Sequence, residues 1–592
     1  MFDYIITMSA DFEKSLVLID ELMVTDKVRF AVVKGGSQMT GQTYNAIGGS
    51  RFLNQIIYSI QLPSLETVMS RHVLQTATII FEIEGVPIAQ DAAKPASGYL
   101  FQYGGIDGLA PFPLTQMFES QTISINNTTV SQQTKSLLSV LLRVHDKRSL
   151  SRYNGMTPVQ YDVVGDYTAI AGTNMNPFAS FTNASYDNDL LPRGSYPVTI
   201  TNLDATKNFN AAGGAAKIQV SILVTEPVLV SPFVWADTDG EAGIYGVQQL
   251  NFNFNISTRM DSVVRFGGRM VDRFAGAAIP TVTLIGIDNP SLRVQYITPH
   301  ASTQLPARSV LPFYSLDRYL SNNTPILAPG ASGTVTSSAI QLAMIPDKIY
   351  ISVAQPRSSQ LSNQADAFMT IKSINIQFNN ASGLLSSCKQ EQLWRFAVEA
   401  GSNQSWVEFA GKAQGVPNES DQGVSSISTC GSVLILDFVK HIALAQDWHS
   451  CSSLGQFNLL FTLEVENNTN VNYTAAGQLQ LLTIVQNSGV CVTERGVSST
   501  YQGILSKKDV LDVSREAPTG YSDTLRMVGG GKVGDFLKRN LASLGQAALK
   551  HGGPLLLNLA KQKLGLGESG GASSGGKKPR QTSMGALEDR MY

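Results

Sequence analysis

Charge is scarce in this chain of 592 residues: Lys, Arg, Asp and Glu make up only 15% of it, against about 25% in typical globular proteins. Asn, Gln, Ser and Thr take their place. Neutral polar side chains carry no mutual repulsion and little desolvation cost, which suits broad surfaces that pack against one another. Cysteine is also rare. Cys388, Cys430, Cys451 and Cys491 show no CxxC spacing, and with no basic leader ahead of them they point to reduced, buried thiols in an intracellular protein. No apolar run reaches 18 residues, so the sequence offers no membrane-spanning helix. Catalytic signatures are missing as well: there is no Walker loop, no GxGxxG after a strand, no GxSxG elbow and no HExxH.

What is present is enough to fold. Hydrophobic residues are 43% of the chain, so a large core can form and global disorder is excluded. Net charge is −2, unevenly spread. From Met527 onward there are ten basic residues and four acidic ones, a tail of +6, which leaves −8 on the preceding body. That asymmetry makes the tail the candidate for contact with nucleic acid or membrane.

The body reads as mainly β. Leu250-Asn251-Phe252-Asn253-Phe254-Asn255-Ile256 alternates strictly, as do Ile374-Asn375-Ile376-Gln377-Phe378 and the series Phe457, Leu459, Phe461, Leu463, Val465. Period two places one face on a core. Further strands are expected at 27–33, 54–62, 76–83, 121–126, 217–224, 281–287, 294–297, 337–342, 348–353, 432–436 and 478–484, about fourteen in all. Long polar insertions cover 150–215 and 400–430. Two eight-stranded jelly rolls in tandem would need sixteen strands, close to this count. A boundary is expected at 231–240, where a strand ends in Pro232 ahead of an acidic turn.

Two segments have helical spacing. Ser9 could cap a helix carrying Phe12, Leu16, Ile19, Leu22 and Met23. In the tail Val533, Phe536, Leu537, Leu541, Leu544 and Ala548 share a face, opposite Asp535, Lys538, Arg539 and Gln546. Gly/Ser-rich sequence over 565–579 reads as a flexible linker. Just ahead of the helix, Met527-Val528-Gly529-Gly530-Gly531 is either a hinge or a stretch thin enough for a protease cleft.

Weaker constellations favour structural readings. Asp447, His449 and Cys451 hint at a metal or a Cys–His pair, yet such pairs are assembled from distant segments. Asp237-Thr238-Asp239-Gly240-Glu241 lacks the later bidentate Glu of a calcium loop. No cofactor or metal is expected.

Certain blocks resemble the double jelly-roll major capsid proteins of polinton-like viruses, virophages and adintoviruses. These are Gln341-Leu342-Ala343-Met344-Ile345-Pro346-Asp347-Lys348-Ile349-Tyr350, then Ile374 to Phe378 followed by Asn379-Asn380-Ala381-Ser382-Gly383-Leu384-Leu385, and Gln392-Leu393-Trp394. Trp406-Val407-Glu408-Phe409, Gly431-Ser432-Val433-Leu434-Ile435-Leu436, Ser453-Leu454-Gly455-Gln456-Phe457, Glu226-Pro227, Ser231-Pro232-Phe233 and Gly243-Ile244-Tyr245-Gly246-Val247-Gln248 complete the set. Their shared order, good over 226–470 and weak before 220, carries the resemblance.

The resemblance implies a non-enzymatic subunit that trimerises into a pseudo-hexagonal capsomer of an icosahedral dsDNA virus, with strands normal to the shell. It also implies partners: neighbouring capsomers, penton and minor capsid proteins, a viral cysteine protease, and genome or inner membrane at the tail. Met527-Val528-Gly529-Gly530 matches the apolar-x-Gly-Gly site of such proteases, with the cut before Gly531. Residence in the virion follows, after synthesis in host cytoplasm or nucleus. The expected layout is a helical arm over 1–26, jelly rolls over 27–236 and 237–515, and a flexible basic tail with its amphipathic helix over 516–592. A minor capsid or membrane-active protein is the alternative, and a β-sandwich carbohydrate binder is disfavoured by having only Trp235, Trp394, Trp406 and Trp448.

Overall fold

The computed structural model describes residues 38–502, with breaks at 95, 104–105, 145–160, 162–197, 234–242, 261–262, 299–304, 306–307, 324–325, 357–361, 363–365, 418–423, 443, 445–450 and 469–477. The expected N-terminal arm, the strand at 27–33, the acidic turn at 237–241 and everything from 503 onward lie outside the described residues.

Eight principal strands form the first jelly roll: β1 (Gln38–Asn45), β2 (Gln55–Gln61), β3 (Leu74–Gly85), β4 (Phe118–Ile125), β5 (Thr128–Gln132), β6 (Ala216–Pro227), β7 (Gln249–Ile256) and β8 (Thr281–Thr298). They pair antiparallel in the orders β1-β8-β3-β6 and β2-β7-β4-β5. The second roll contains β9 (Ser309–Asn323), β10 (Ser332–Thr336), β11 (Lys348–Ala354), β12 (Thr370–Phe378), β13 (Ala381–Leu384), β14 (Val433–Asp437), β15 (Leu454–Glu466) and β16 (Leu479–Glu494). Its orders are β9-β16-β11-β14 and β10-β15-β12-β13. Adding eight to every strand number converts one roll into the other. The fold is therefore a duplicated, mainly β double jelly roll.

Alternation in the sequence becomes burial in the sheets. Along β3, Ala77, Ile79, Phe81 and Ile83 point inward, and Leu250, Phe252 and Phe254 of β7 meet them from the facing sheet. In the second roll Ile349 and Ile351 of β11 share a core with Ile374 and Ile376 of β12 and Leu459, Phe461 and Leu463 of β15. Each such Ile, Leu or Phe side chain contributes about 2 kcal/mol on leaving water.

The sheets divide between Thr298 and Ser309, not at 236. Strands β7 and β8 complete the first roll by pairing with β2 and β1, and Phe233 is buried in the first core. Pro232 is thus part of a connection inside that roll. The stretches expected at 281–287 and 294–297 are one strand, because Asn289-Pro290 sits in a bulge between Asp288 and Ser291 where no ladder N–H is required.

Strand directions define two ends. The β3–β4, β5–β6 and β7–β8 connections leave their strands at one end, here the loop end, as do those after β11, β13 and β15 of the second roll. The two-residue turns at 126–127 and 379–380 mark the opposite, turn end. Gln38 pairs with Thr298, so β1 enters from the turn end. Among the described residues no helix is long and apolar enough to cross a membrane.

Candidate functional site: the seam between the jelly rolls

Two similar sandwiches in one chain act as a single block only if their contact is stiff, and here it is fastened at both ends. At the loop end the helix Thr134–Leu141 leaves the first roll and sends Leu137, Val140 and Leu141 into the core of the second. Arg143 follows, fully buried, with Nη1 3.5 Å from Asp366 Oδ2 and its guanidinium 4.8 Å from the centre of the Phe368 ring. Its carbonyl accepts from Asn403 N at 2.8 Å, and Phe266 N donates to Ser362 O at 2.8 Å.

At the turn end the fastening is a strand. Val497–Gln502 pairs with the last six residues of β16 and lies beside β5 of the first roll. Ser498 N donates to Asn127 Oδ1 at 2.8 Å, Thr128 Oγ1 donates to Ser498 O at 2.7 Å, and Ser498 Oγ donates to Ile125 O. An edge strand left open invites foreign pairing, and this clasp covers β5 from within the chain. Beside it, Gly496 N donates to Gly246 O at 3.0 Å. Gly246 has φ +74°, a left-handed conformation that favours glycine, and it lies against the backbone of residues 493–495. Thr493 Oγ1 donates to Tyr245 O at 2.5 Å, and Tyr314 N donates to Ser231 Oγ at 3.0 Å. Leu311, Phe313 and Cys491 of the second roll pack into the first core. Apolar side chains cross the seam in both directions, and the loop end of one roll meets the loop end of the other.

Buried polar groups brace the loops behind the seam. Arg273 makes a bidentate pair with Asp107 (2.6 and 2.7 Å), and Asp107 also accepts from Gln102 N and Gly267 N. Glu226 accepts from Leu114 N, Thr115 N and Thr115 Oγ1 at 2.7, 2.8 and 2.6 Å. Burial pushes its carboxyl up to about 7, against the pull of those hydrogen bonds.

The residues singled out for other chemistry fare differently. Met527, Val528, Gly529, Gly530 and Gly531, and the tail face of Val533, Phe536, Leu537, Leu541 and Leu544, lie outside the described residues, as do Asp447 and His449. Cys451 is described: its Sγ is 3.4 Å from Pro346 O, and burial pushes the thiol up to about 12. Such a thiol stays protonated and is a poor nucleophile. Among the described residues no group of three His, Cys, Asp or Glu is placed to hold a metal ion. The sequence reading missed the seam itself. Its signal was the repeated Asn-Asn pair after an alternating strand, at 126–127 and 379–380.

Comparison with known proteins agrees with this architecture. A family model described as the first domain of the Sputnik virophage major capsid protein matches residues 10–297, and one described as the V20 major capsid protein C-terminal domain matches 316–489. The putative capsid protein V20 of Sputnik virophage is 26% identical over 588 residues, covering 94% of each chain. Among solved structures, a chain of the Sputnik virophage seen by electron cryo-microscopy superposes with a TM-score of 0.70 at 24% identity, over 84% of this chain and 94% of that one. The mavirus major capsid protein gives 0.67 at 15% identity, over 82% and 93%. The division between the two family models falls where the sheets divide, and both rolls are matched in order: the chain belongs to the virophage major capsid protein family.

Proposed function

We propose that three copies of this chain close into a pseudo-hexagonal capsomer, with the turn end toward the particle interior and strands normal to the shell. The observation that carries this is the seam. Two rolls of identical strand order stand side by side with the same end up, so a threefold ring of such blocks presents six similar units to its neighbours. The inward orientation is supported by the chain path, since β1 enters from the turn end. In this reading the +6 of charge in the tail meets genome or an anionic membrane surface. The chain performs no catalysis in this reading. Neighbouring capsomers, penton and minor capsid proteins surround it, and a viral cysteine protease trims it between Gly530 and Gly531.

Light scattering on the purified full chain tests the reading. The expected mass is three times 63.7 kDa, and hexagonal outlines should appear in negative stain. A monomer under the same conditions would sink it.

A further inference from the structure

A bulge in β12 places two successive side chains on the outer face of the β10-β15-β12-β13 sheet, where alternation alone would allow one. The register of β12 against β15 shifts between Ile371 and Ser373, so Lys372 and Ser373 are both partly exposed while Ile371 and Ile374 stay buried. Ser373 Oγ donates to Glu464 Oε2 at 3.2 Å. Lys372 Nζ lies 2.7 Å from Oε2 of Glu466, the last residue of β15. The same ammonium donates to Oε1 of Gln390 at 3.4 Å, at the start of the helix Gln390–Glu399. An amine, a carboxylate and a carboxamide thus meet at one point.

Two features set this meeting apart from an ordinary ion pair. Lys412 Nζ stands 3.6 Å from Glu466 Oε1, so two ammoniums share one carboxylate. Their mutual repulsion favours the loss of a proton by one of them. Burial raises the Glu466 carboxyl, but hydrogen bonds and charge from Lys372 and Lys412 outweigh it and hold the group below its usual range. Glu466 is therefore a carboxylate, with a free lone pair beside the Lys372 ammonium. The second feature is Gln390 Nε2, which is buried with no hydrogen-bond partner. An unpaired buried donor is costly. Turning the Lys372 ammonium into an amide and expelling Nε2 removes both defects together.

We propose that Lys372 and Gln390 join in an isopeptide bond that the chain forms on itself. Rotation about the soft terminal torsion of Gln390 turns Cδ toward Nζ. Glu466 takes a proton from the Lys372 ammonium, and the freed lone pair of Nζ forms a bond to Cδ. The Cδ–Nε2 bond breaks as Glu466 hands that proton to Nε2, and ammonia leaves. The second proton that Nζ sheds passes to water. No oxidant or second substrate is consumed, and each chain reacts once, without turnover. Contact between the groups replaces a bimolecular encounter. The Lys372 side chain is 30% exposed, which leaves ammonia a way out, and Lys412 remains with Glu466 as a matched pair. The bond ties residues 18 apart and fastens the helix to β12. It does not depend on the trimer reading.

Mass spectrometry of the purified full-length chain tests this. Wild type should weigh one ammonia less than its sequence, and digestion should release a branched peptide joining the segments that carry Lys372 and Gln390. Lys372→Arg and Gln390→Ala should each restore the sequence mass and separate the two segments. Glu466→Gln keeps both reacting groups without the relay and should leave most chains unlinked; a linked yield equal to wild type would overturn the relay. Wild type should also melt several degrees above Gln390→Ala, because the cross-link restricts the unfolded chain. Wild type at its full sequence mass, with the two segments recovered separately after prolonged incubation, would overturn the proposal. That result is read on the wild-type chain alone, so misfolding of a variant cannot obscure it.

Discussion

Glu226 is fully buried at the end of β6, and it holds the connection 86–117 against the sheet through Leu114 and Thr115. Because desolvation raises its folded value to about 7, above that of an exposed Glu near 4.5, the folded state binds the proton more tightly than the unfolded one. Its contribution to stability is fully present below about pH 4.5 and is lost as pH rises through 7. Glu226→Gln should abolish that slope. Between pH 4.5 and 8 the stability difference between wild type and variant should move by on the order of 3 kcal/mol, which denaturant titrations at several pH values would read; a constant difference would mean the carboxyl does not titrate in this range. Arg273 is a different case, since its charge is paired twice with Asp107 and lies 4.8 Å from the Phe274 ring centre. Arg273→Ala strands a buried carboxylate and should cost about 3–5 kcal/mol by the same titration. Sequence pattern marked Glu226 only as part of a Glu-Pro block and gave Arg273 no mark, because partners 111, 112 and 166 residues away cannot be read from spacing.

At the level of elements, strands with a buried face announced themselves and edge strands did not. The alternating runs at 250–256, 374–378 and 457–465 all lie within strands facing a core. In contrast β9 carries Pro312, Asp317 and Arg318, and reads as a loop until its place at the sheet edge is known. There an edge position tolerates a residue with no N–H, and Pro312 faces Val490 across the ladder. The short β5 was hidden for the same reason, as its partner on the open side is the clasp Val497–Gln502. That clasp predicts a sharp difference between two truncations. Ending the chain after Gln502 keeps the six-residue ladder and the Ser498 bonds and should leave the melting temperature essentially unchanged. Ending it after Gly496 uncovers β5 and should lower melting by several degrees, measured by scanning calorimetry; equal melting of the two would show that the clasp adds nothing to the seam.

Across the whole molecule, charge separates into a body of −8 and a tail of +6. The seam is built almost wholly from neutral groups, with the buried Arg143–Asp366 pair as its ionic element at the loop end. Copies of a weakly charged body can approach without strong repulsion, and electrostatic selectivity is left to the tail. If so, trimer formation and particle assembly should respond separately to the tail. Deleting 531–592 should leave the mass of the capsomer at three shortened chains while lowering the yield of closed particles, because only the second process needs the inner-side cation. Raising the salt concentration should mimic the deletion for particles and not for trimers, as screening weakens contacts with phosphate but not burial of apolar surface. Gly530→Phe tests the remaining step: a bulky side chain in a cleft that accepts only glycine should leave the full-length mass intact in purified particles, whereas wild type should end at Gly530. Identical masses for the two would assign Met527 to Gly531 the role of a hinge.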